Sequence, residues 1–134
     1  MRKNNIRISI DYDNCLSHPK IQELAKQLIV RGHDVFILTS RFDSIRRLKF
    51  PDLASNEDLY QIAEEVGIKP YRIAFTNQQK KWIWLLDTGI KIHIDDDLTV
   101  LKDLAYYGLV QGFDCNREDL AEAVWKYIED LENF

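Results

Sequence analysis

Ile8-Ser9-Ile10-Asp11-Tyr12-Asp13-Asn14 is a short apolar run that stops abruptly on two acids, and Ile92-His93-Ile94-Asp95-Asp96-Asp97 repeats the arrangement later in the chain. Each run reads as a β-strand with its acids at one end. If the two strands are parallel neighbours, four or five carboxyl groups converge on one edge of the sheet. Such a cluster repels itself without a cation. Oxygen donors with no Cys or His among them favour a hard ion, Mg²⁺ above others.

The stretch between the two acid clusters supports parallel pairing. Gly32, Gly67, Gly89 and Gly108 each follow a helix-like segment and precede a strand-like one. Glycine there supplies the left-handed residue that closes a helix. Pro19 suits a first helical turn. Ser55 with Asp58, and Asn116 with Asp119, read as helix starts. Ile21, Leu24, Ala25, Leu28 and Ile29 recur at helical spacing.

The expected order is strand 6–10, helix 19–31, strand 34–38, helix 56–66, strand 72–75, helix 79–88, strand 91–94, helix 98–107, strand 109–112 and helix 117–131. Strict alternation predicts an α/β fold, a parallel sheet with helices on both faces. Ligands of such sheets bind at the carboxyl edge of the strands. Both acid clusters lie there, and so does the start of the long irregular stretch 41–55.

The bulk numbers narrow the class. A chain of 134 residues is expected to form one domain, 1–134, with a real core. A net charge of −4 gives no general attraction to nucleic acid, so any basic site is local. No apolar run approaches the ~20 residues of a membrane span. The opening residues run straight into a strand, so no signal segment is expected. The two cysteines, Cys15 and Cys115, make no disulfide framework. These features predict a reduced, cytoplasmic protein with no membrane or disulfide-linked partner.

Asp11-Tyr12-Asp13-Asn14-Cys15 resembles the first motif of the haloacid dehalogenase (HAD) superfamily, Asp-x-Asp followed by Gly or Asn and then Thr or Val. Three further family motifs have counterparts in order: a strand ending in Thr39-Ser40, a lysine at Lys80 or Lys81, and the strand-borne pair Asp95-Asp96. The resemblance spans roughly residues 6–113 and departs at Cys15, where Thr is more usual. It implies a three-layer α/β/α sandwich with a five-stranded parallel sheet in the order 5-4-1-2-3. The short spacing between Asp13 and Thr39 leaves no room for the family's first-type cap domain, and the 41–55 loop is too short for the second type.

The resemblance also implies a chemistry. Asp11 is the expected nucleophile, forming an aspartyl-phosphate, and Asp13 the acid and base. Thr39 binds a phosphate oxygen, and the lysine balances charge. Lys81 is favoured because its spacing before Asp95 suits a helix returning to that strand. The expected Mg²⁺ site comprises Asp11, Asp13 through its main-chain carbonyl, Asp95 and Asp96, with Asp96 the more direct ligand.

Ser40, Arg41, Arg46, Arg47 and Lys80 are candidate substrate-binding residues. Thr39-Ser40-Arg41 is similar to a run in the phosphatase domains of polynucleotide kinase–phosphatases. The expected substrate is accordingly a nucleotide or a nucleic-acid phosphate end. The alternatives are a small sugar phosphate or phosphoprotein, or a phosphate- or metal-binding module without turnover.

Several other residues are read as structural. Asp97 is expected to cap the helix that starts at 98, and His93 to be a satisfied core residue. Trp82, Ile83, Leu85 and Leu86 are expected in the core, with Trp84 between faces.

Overall fold

The computed structural model describes residues 5–49, 55–108 and 110–133. In chain order its elements are β1 (Arg7–Ile10), α1 (Pro19–Val30), β2 (Asp34–Thr39), α2 (Ser44–Lys49), α3 (Glu57–Val66), β3 (Ile73–Phe75), α4 (Lys81–Trp84), β4 (Ile90–Asp95), α5 (Leu98–Tyr107), β5 (Gln111–Asp114) and α6 (Leu120–Glu132). The strands form one parallel sheet in the order β3-β2-β1-β4-β5. This is the expected 5-4-1-2-3 order, read from the other edge.

The register explains why the acids meet. Ile10 pairs with Ile37 of β2 on one side and with Ile94 of β4 on the other. Whatever follows these three strands therefore leaves the sheet side by side. The strand order also changes direction between β1 and β4, which is where an open parallel sheet forms its crevice.

Alternation along the strands sorts their residues between two faces. On one face Ile8, Ile10, Val35, Ile37, Ile92 and Ile94 pack against Leu24 and Leu28 of α1, Leu59 and Ala63 of α3, and Val124 and Ile128 of α6. Fully burying one such aliphatic side chain is worth about 1.5–3 kcal/mol, so this face carries most of the hydrophobic stabilisation. The other face has a smaller cluster, in which Leu38, Leu85 and Leu104 are the buried members. Ser9, His93 and Asp95 belong to this second face and are fully buried there. Its polar interior is the foundation of the site described below. Helix α5 comes very close to β5: a Cβ on Gly112 would lie 2.8 Å from Leu101 Cδ2, so only glycine fits without a shift.

Several expectations need correction. In place of a helix over 79–88 there is one turn, Lys81–Trp84. Left-handed residues Asn77, Gln78 and Asp87 flank it and interrupt any longer helix. With so short a helix only an i, i+4 pair faces inward, and Lys81 and Leu85 are that pair. Ile83 and Leu86 are 49% and 44% exposed instead of lying in the core. The irregular stretch 41–55 contains helix α2. Helix α6 starts at Leu120, after Asp119, so Asn116 does not cap it. Asn56, not Ser55, holds the N-cap position of α3. Leu109, the expected start of the last strand, lies outside the described residues.

Other expectations match. Asp97 caps α5 by accepting from Thr99 N at 2.9 Å. Gly108 closes the same helix at φ 63°, donating to Leu104 O. Among the described residues no helix is long and apolar enough to cross a membrane.

Candidate active site

Asp11 is the first residue past β1, and its backbone N–H still donates to Ile94 O at 2.9 Å. The carboxylate is thus fixed by the β1–β4 ladder and is 6% exposed. The chain then makes a wide turn over Tyr12–Leu16. Asp13 is extended there, and Asn14 takes a left-handed conformation at φ 58°, which Asn tolerates better than most residues. Tyr12, Cys15 and Leu16 anchor the turn in the core, while Asp13 is lifted into solvent.

Lys81 reaches this edge from the single turn of α4. Its Nζ donates to Asp11 Oδ1 at 2.8 Å and to Asp95 Oδ2 at 2.6 Å, and all three groups are buried. Lys80 is exposed and lies 4.0 Å from Asp103. Of the two candidate lysines, the structure therefore brings Lys81 to the acids and leaves Lys80 on the cleft wall.

Behind Asp95 runs a relay on the second face. His93 Nε2 lies 2.7 Å from Asp95 Oδ2, and its Nδ1 lies 2.7 Å from Ser9 Oγ. Burial keeps the imidazole pKa below its ordinary value, which favours the neutral ring. A carboxylate only accepts, so the network assigns the ring proton to Nε2, with Ser9 donating to Nδ1. Asp97 N adds a bond to Asp95 Oδ1 at 3.0 Å.

Burial alone would raise the Asp95 pKa, but the donors from His93 and Lys81 hold the carboxyl well below the usual range. Asp11 behaves oppositely. Burial outweighs Lys81, and with the nearby Asp95 charge pushes it up to about 7. One lysine does not neutralise the cluster.

Asp11, Asp95 and Asp96 each offer an oxygen within 4.8 Å of one another. The donors are all carboxylate oxygens, and three acids share the single ammonium of Lys81 here. Both facts fit a hard divalent cation such as Mg²⁺. Since Asp95 already accepts from Lys81, His93 and Asp97, the half-buried Asp96 and the second oxygen of Asp11 are the freer ligands. The Asp13 side chain is not in this group.

Asp13 is instead bound by Arg41. Nε and Nη2 of Arg41 donate to Asp13 Oδ2 and Oδ1 at 2.9 and 2.8 Å. Nη1 and Nη2 donate to Asp58 Oδ1 and Oδ2 at 2.8 and 2.9 Å. The guanidinium also sits over the Tyr12 ring, 4.9 Å from its centre. A residue expected to face substrate is thus committed to two carboxylates.

The remaining candidates separate. Thr39 is fully buried, and its Oγ1 accepts from Arg41 N at 3.2 Å. Ser40 lines the cleft itself. Arg46 is exposed on α2 and is not on the cleft wall. The side chain of Arg47 lies outside the described residues.

The cleft over the acids has a volume of about 460 Å³, with Ser40, Gln78, Lys80 and Trp82 on its walls. A larger cavity, about 770 Å³, lies at the other end of the sheet around Trp125 and Arg31. It contains none of the clustered carboxylates, so chemistry rather than volume selects the smaller cleft. Two supporting groups were not foreseen, His93 as a partner of Asp95 and Asp58 as a partner of Arg41. The first had a visible signal, since residues two apart on a strand share a face. The second joins elements far apart in sequence and had none. Compared with models of protein families and with curated proteins, the chain matches neither.

Proposed function

We propose that this chain is a Mg²⁺-dependent phosphomonoesterase of the haloacid dehalogenase type, acting through an aspartyl-phosphate. The observation that carries the reading is the convergence of Asp11, Lys81, Asp95 and Asp96 at the sheet's switch point. In the first step an Asp11 oxygen attacks phosphorus in line, and the ester P–O bond breaks as Asp13 gives a proton to the leaving oxygen. In the second, water attacks the phosphorus, Asp13 takes its proton, and phosphate leaves with Asp11 restored.

Lys81 orients Asp11 and offsets negative charge, while Ser40 on the cleft wall is the hydroxyl offered to a phosphate oxygen, with the buried Thr39 holding the Arg41 backbone beside it. Asp11, Asp96 and the Asp13 carbonyl would hold the Mg²⁺, which offsets charge on the acids and the phosphate. A nucleotide or nucleic-acid phosphate end remains the proposed substrate. With Arg41 engaged elsewhere, that choice rests on the exposed cations Arg46, Lys49 and Lys80.

The test is phosphate release over a panel of nucleotides, oligonucleotide ends, sugar phosphates and phosphopeptides, with acid trapping of the labelled protein. Asp11→Asn should remove both turnover and label while retaining the wild-type fold, because an amide cannot act as the nucleophile. Wild-type turnover by a folded Asp11→Asn protein would sink the mechanism.

A further inference from the structure

Asp13, Arg41 and Asp58 come from three separate segments and meet in a doubled bidentate pair. The guanidinium gives two hydrogen bonds to each carboxylate, all between 2.8 and 2.9 Å. Arginine has donors and no acceptor, so both oxygens of Asp13 accept.

Its place is also set from outside. The Asp13 side chain is 50% exposed, and among the described residues Arg41 is the side chain that hydrogen-bonds it. Arg41 is in turn fixed by Tyr12 beneath it and by Asp58. Asp58 stands in the first turn of α3, where a negative charge suits the helix dipole. That helix is anchored through the buried Leu59, Ala63 and Val66. Ion pairs this exposed contribute little to stability, so holding geometry is the better account of four such bonds.

We propose that Asp58 is a positioning residue that, through Arg41, holds Asp13 ready to take the proton of the water attacking the aspartyl-phosphate. This rests on the phosphatase reading above. In the step concerned, the water oxygen bonds to phosphorus and its proton passes to an Asp13 oxygen. The bond from phosphorus to the Asp11 oxygen breaks, and its electron pair returns to the Asp11 carboxylate. With a leaving group that needs no proton from Asp13, loosening Arg41 should therefore slow dephosphorylation more than phosphoryl transfer to Asp11.

p-Nitrophenyl phosphate separates the two steps, because nitrophenolate departs without a proton. With Asp58→Asn, rapid mixing should show a burst of about one equivalent of nitrophenolate. A steady state about tenfold or more below wild type should follow. Label from phosphate-labelled substrate should accumulate on the protein, and Asp58→Glu should recover part of the rate. Arg41→Lys, which cannot hold both carboxylates bidentately, should behave as Asp58→Asn does and serves if that variant folds poorly.

An even slowing of both steps without accumulated label would overturn the inference, since a merely structural role predicts it. So would wild-type kinetics in both variants. Wild-type protein that releases no nitrophenolate with Mg²⁺ would overturn the phosphatase reading and this inference with it. An active wild type with evenly slowed variants would overturn this inference alone.

Discussion

His93 Nε2 lies 2.7 Å from Asp95 Oδ2, with both residues fully buried. A carboxylate in that position needs donors, because burying an unpaired one is costly. His93→Leu removes one donor and leaves the Ser9 hydroxyl without its acceptor. The variant should lose about 1–3 kcal/mol of folding free energy, read as a lower urea midpoint at an unchanged denaturant slope. Phosphatase activity should fall as well, since Asp95 and Lys81 orient Asp11 together. A His93→Leu protein as stable and active as wild type would show that Asp95 draws no support from the ring.

The metal reading has a thermodynamic readout independent of turnover. A cation bound at Asp11 and Asp96 binds the folded state selectively, so Mg²⁺ should raise the melting temperature. At a hundred times its dissociation constant the added stability is about 2.7 kcal/mol. Asp96→Ala should raise the Mg²⁺ concentration for half-maximal activity and for half-maximal stabilisation together, by roughly tenfold or more. Activity should vanish in chelator and return with Mg²⁺. Full activity after chelation, or a melting temperature indifferent to Mg²⁺, would remove the ion from the site.

The sheet order followed from the family resemblance, and most of the acid cluster was legible because two of the strands end on acids. Ile10 and Ile94 place Asp11 and Asp95 at adjacent positions once the strands pair. The spacing before Asp95 favours Lys81 over Lys80, and Lys81 is the lysine that meets the acids; one residue's difference in phase on a four-residue turn decides which side chain goes inward. The extent of α4 was hidden for another reason. Asn77, Gln78 and Asp87 adopt left-handed conformations that their identities permit but do not demand. Arg41 looked like a substrate cation because its partner Asp58 lies in α3, beyond the long loop. Such pairings are fixed by tertiary packing, not local pattern.

Acid sensitivity should come first from imidazoles. His33 is buried, with Nδ1 accepting from Ile6 N at 3.2 Å and the ring near Trp125. Burial holds its pKa below the ordinary value, and Glu132 at 3.9 Å opposes this only in part. The folded state then binds fewer protons than the unfolded one. This contribution is complete above about pH 6.5 and is lost as pH falls toward the folded pKa, at up to about 1.4 kcal/mol per unit. His93 acts with the same sign.

Asp43 and Asp58 are held below the usual carboxyl range by donors from Arg46 and Arg41 respectively. Their contributions disappear only at lower pH. Asp11, whose carboxyl is pushed up to about 7, acts with the opposite sign in the same range. The test in urea denaturation between about pH 7.5 and 5 is therefore differential: His33→Gln should lose less stability on acidification than wild type. Parallel slopes for the two proteins would show that His33 does not titrate on unfolding in this window.

The last prediction concerns how far substrate extends beyond the reacting phosphate. Arg46 and Lys49 are exposed on α2, beside the edge that carries the acids but off the cleft wall. They cannot assist chemistry at Asp11 directly, yet they can meet remote phosphates of a longer substrate. Replacing both with Ala should raise KM for an oligonucleotide end by roughly tenfold for each strong phosphate ion pair removed. Hydrolysis of p-nitrophenyl phosphate, which has no remote phosphate, should stay as in wild type.

Salt gives a second check on the same variant. Each phosphate neutralised on a single strand contributes about −0.7 to the slope of log affinity against log salt. Removing both cations should flatten that slope by roughly 1.4 for the oligonucleotide and change nothing for the aryl phosphate. Equal weakening on both substrates would mean that the substitutions disturb the site itself. Wild-type behaviour on both would make α2 a solvated surface and would favour a small phosphorylated molecule as substrate.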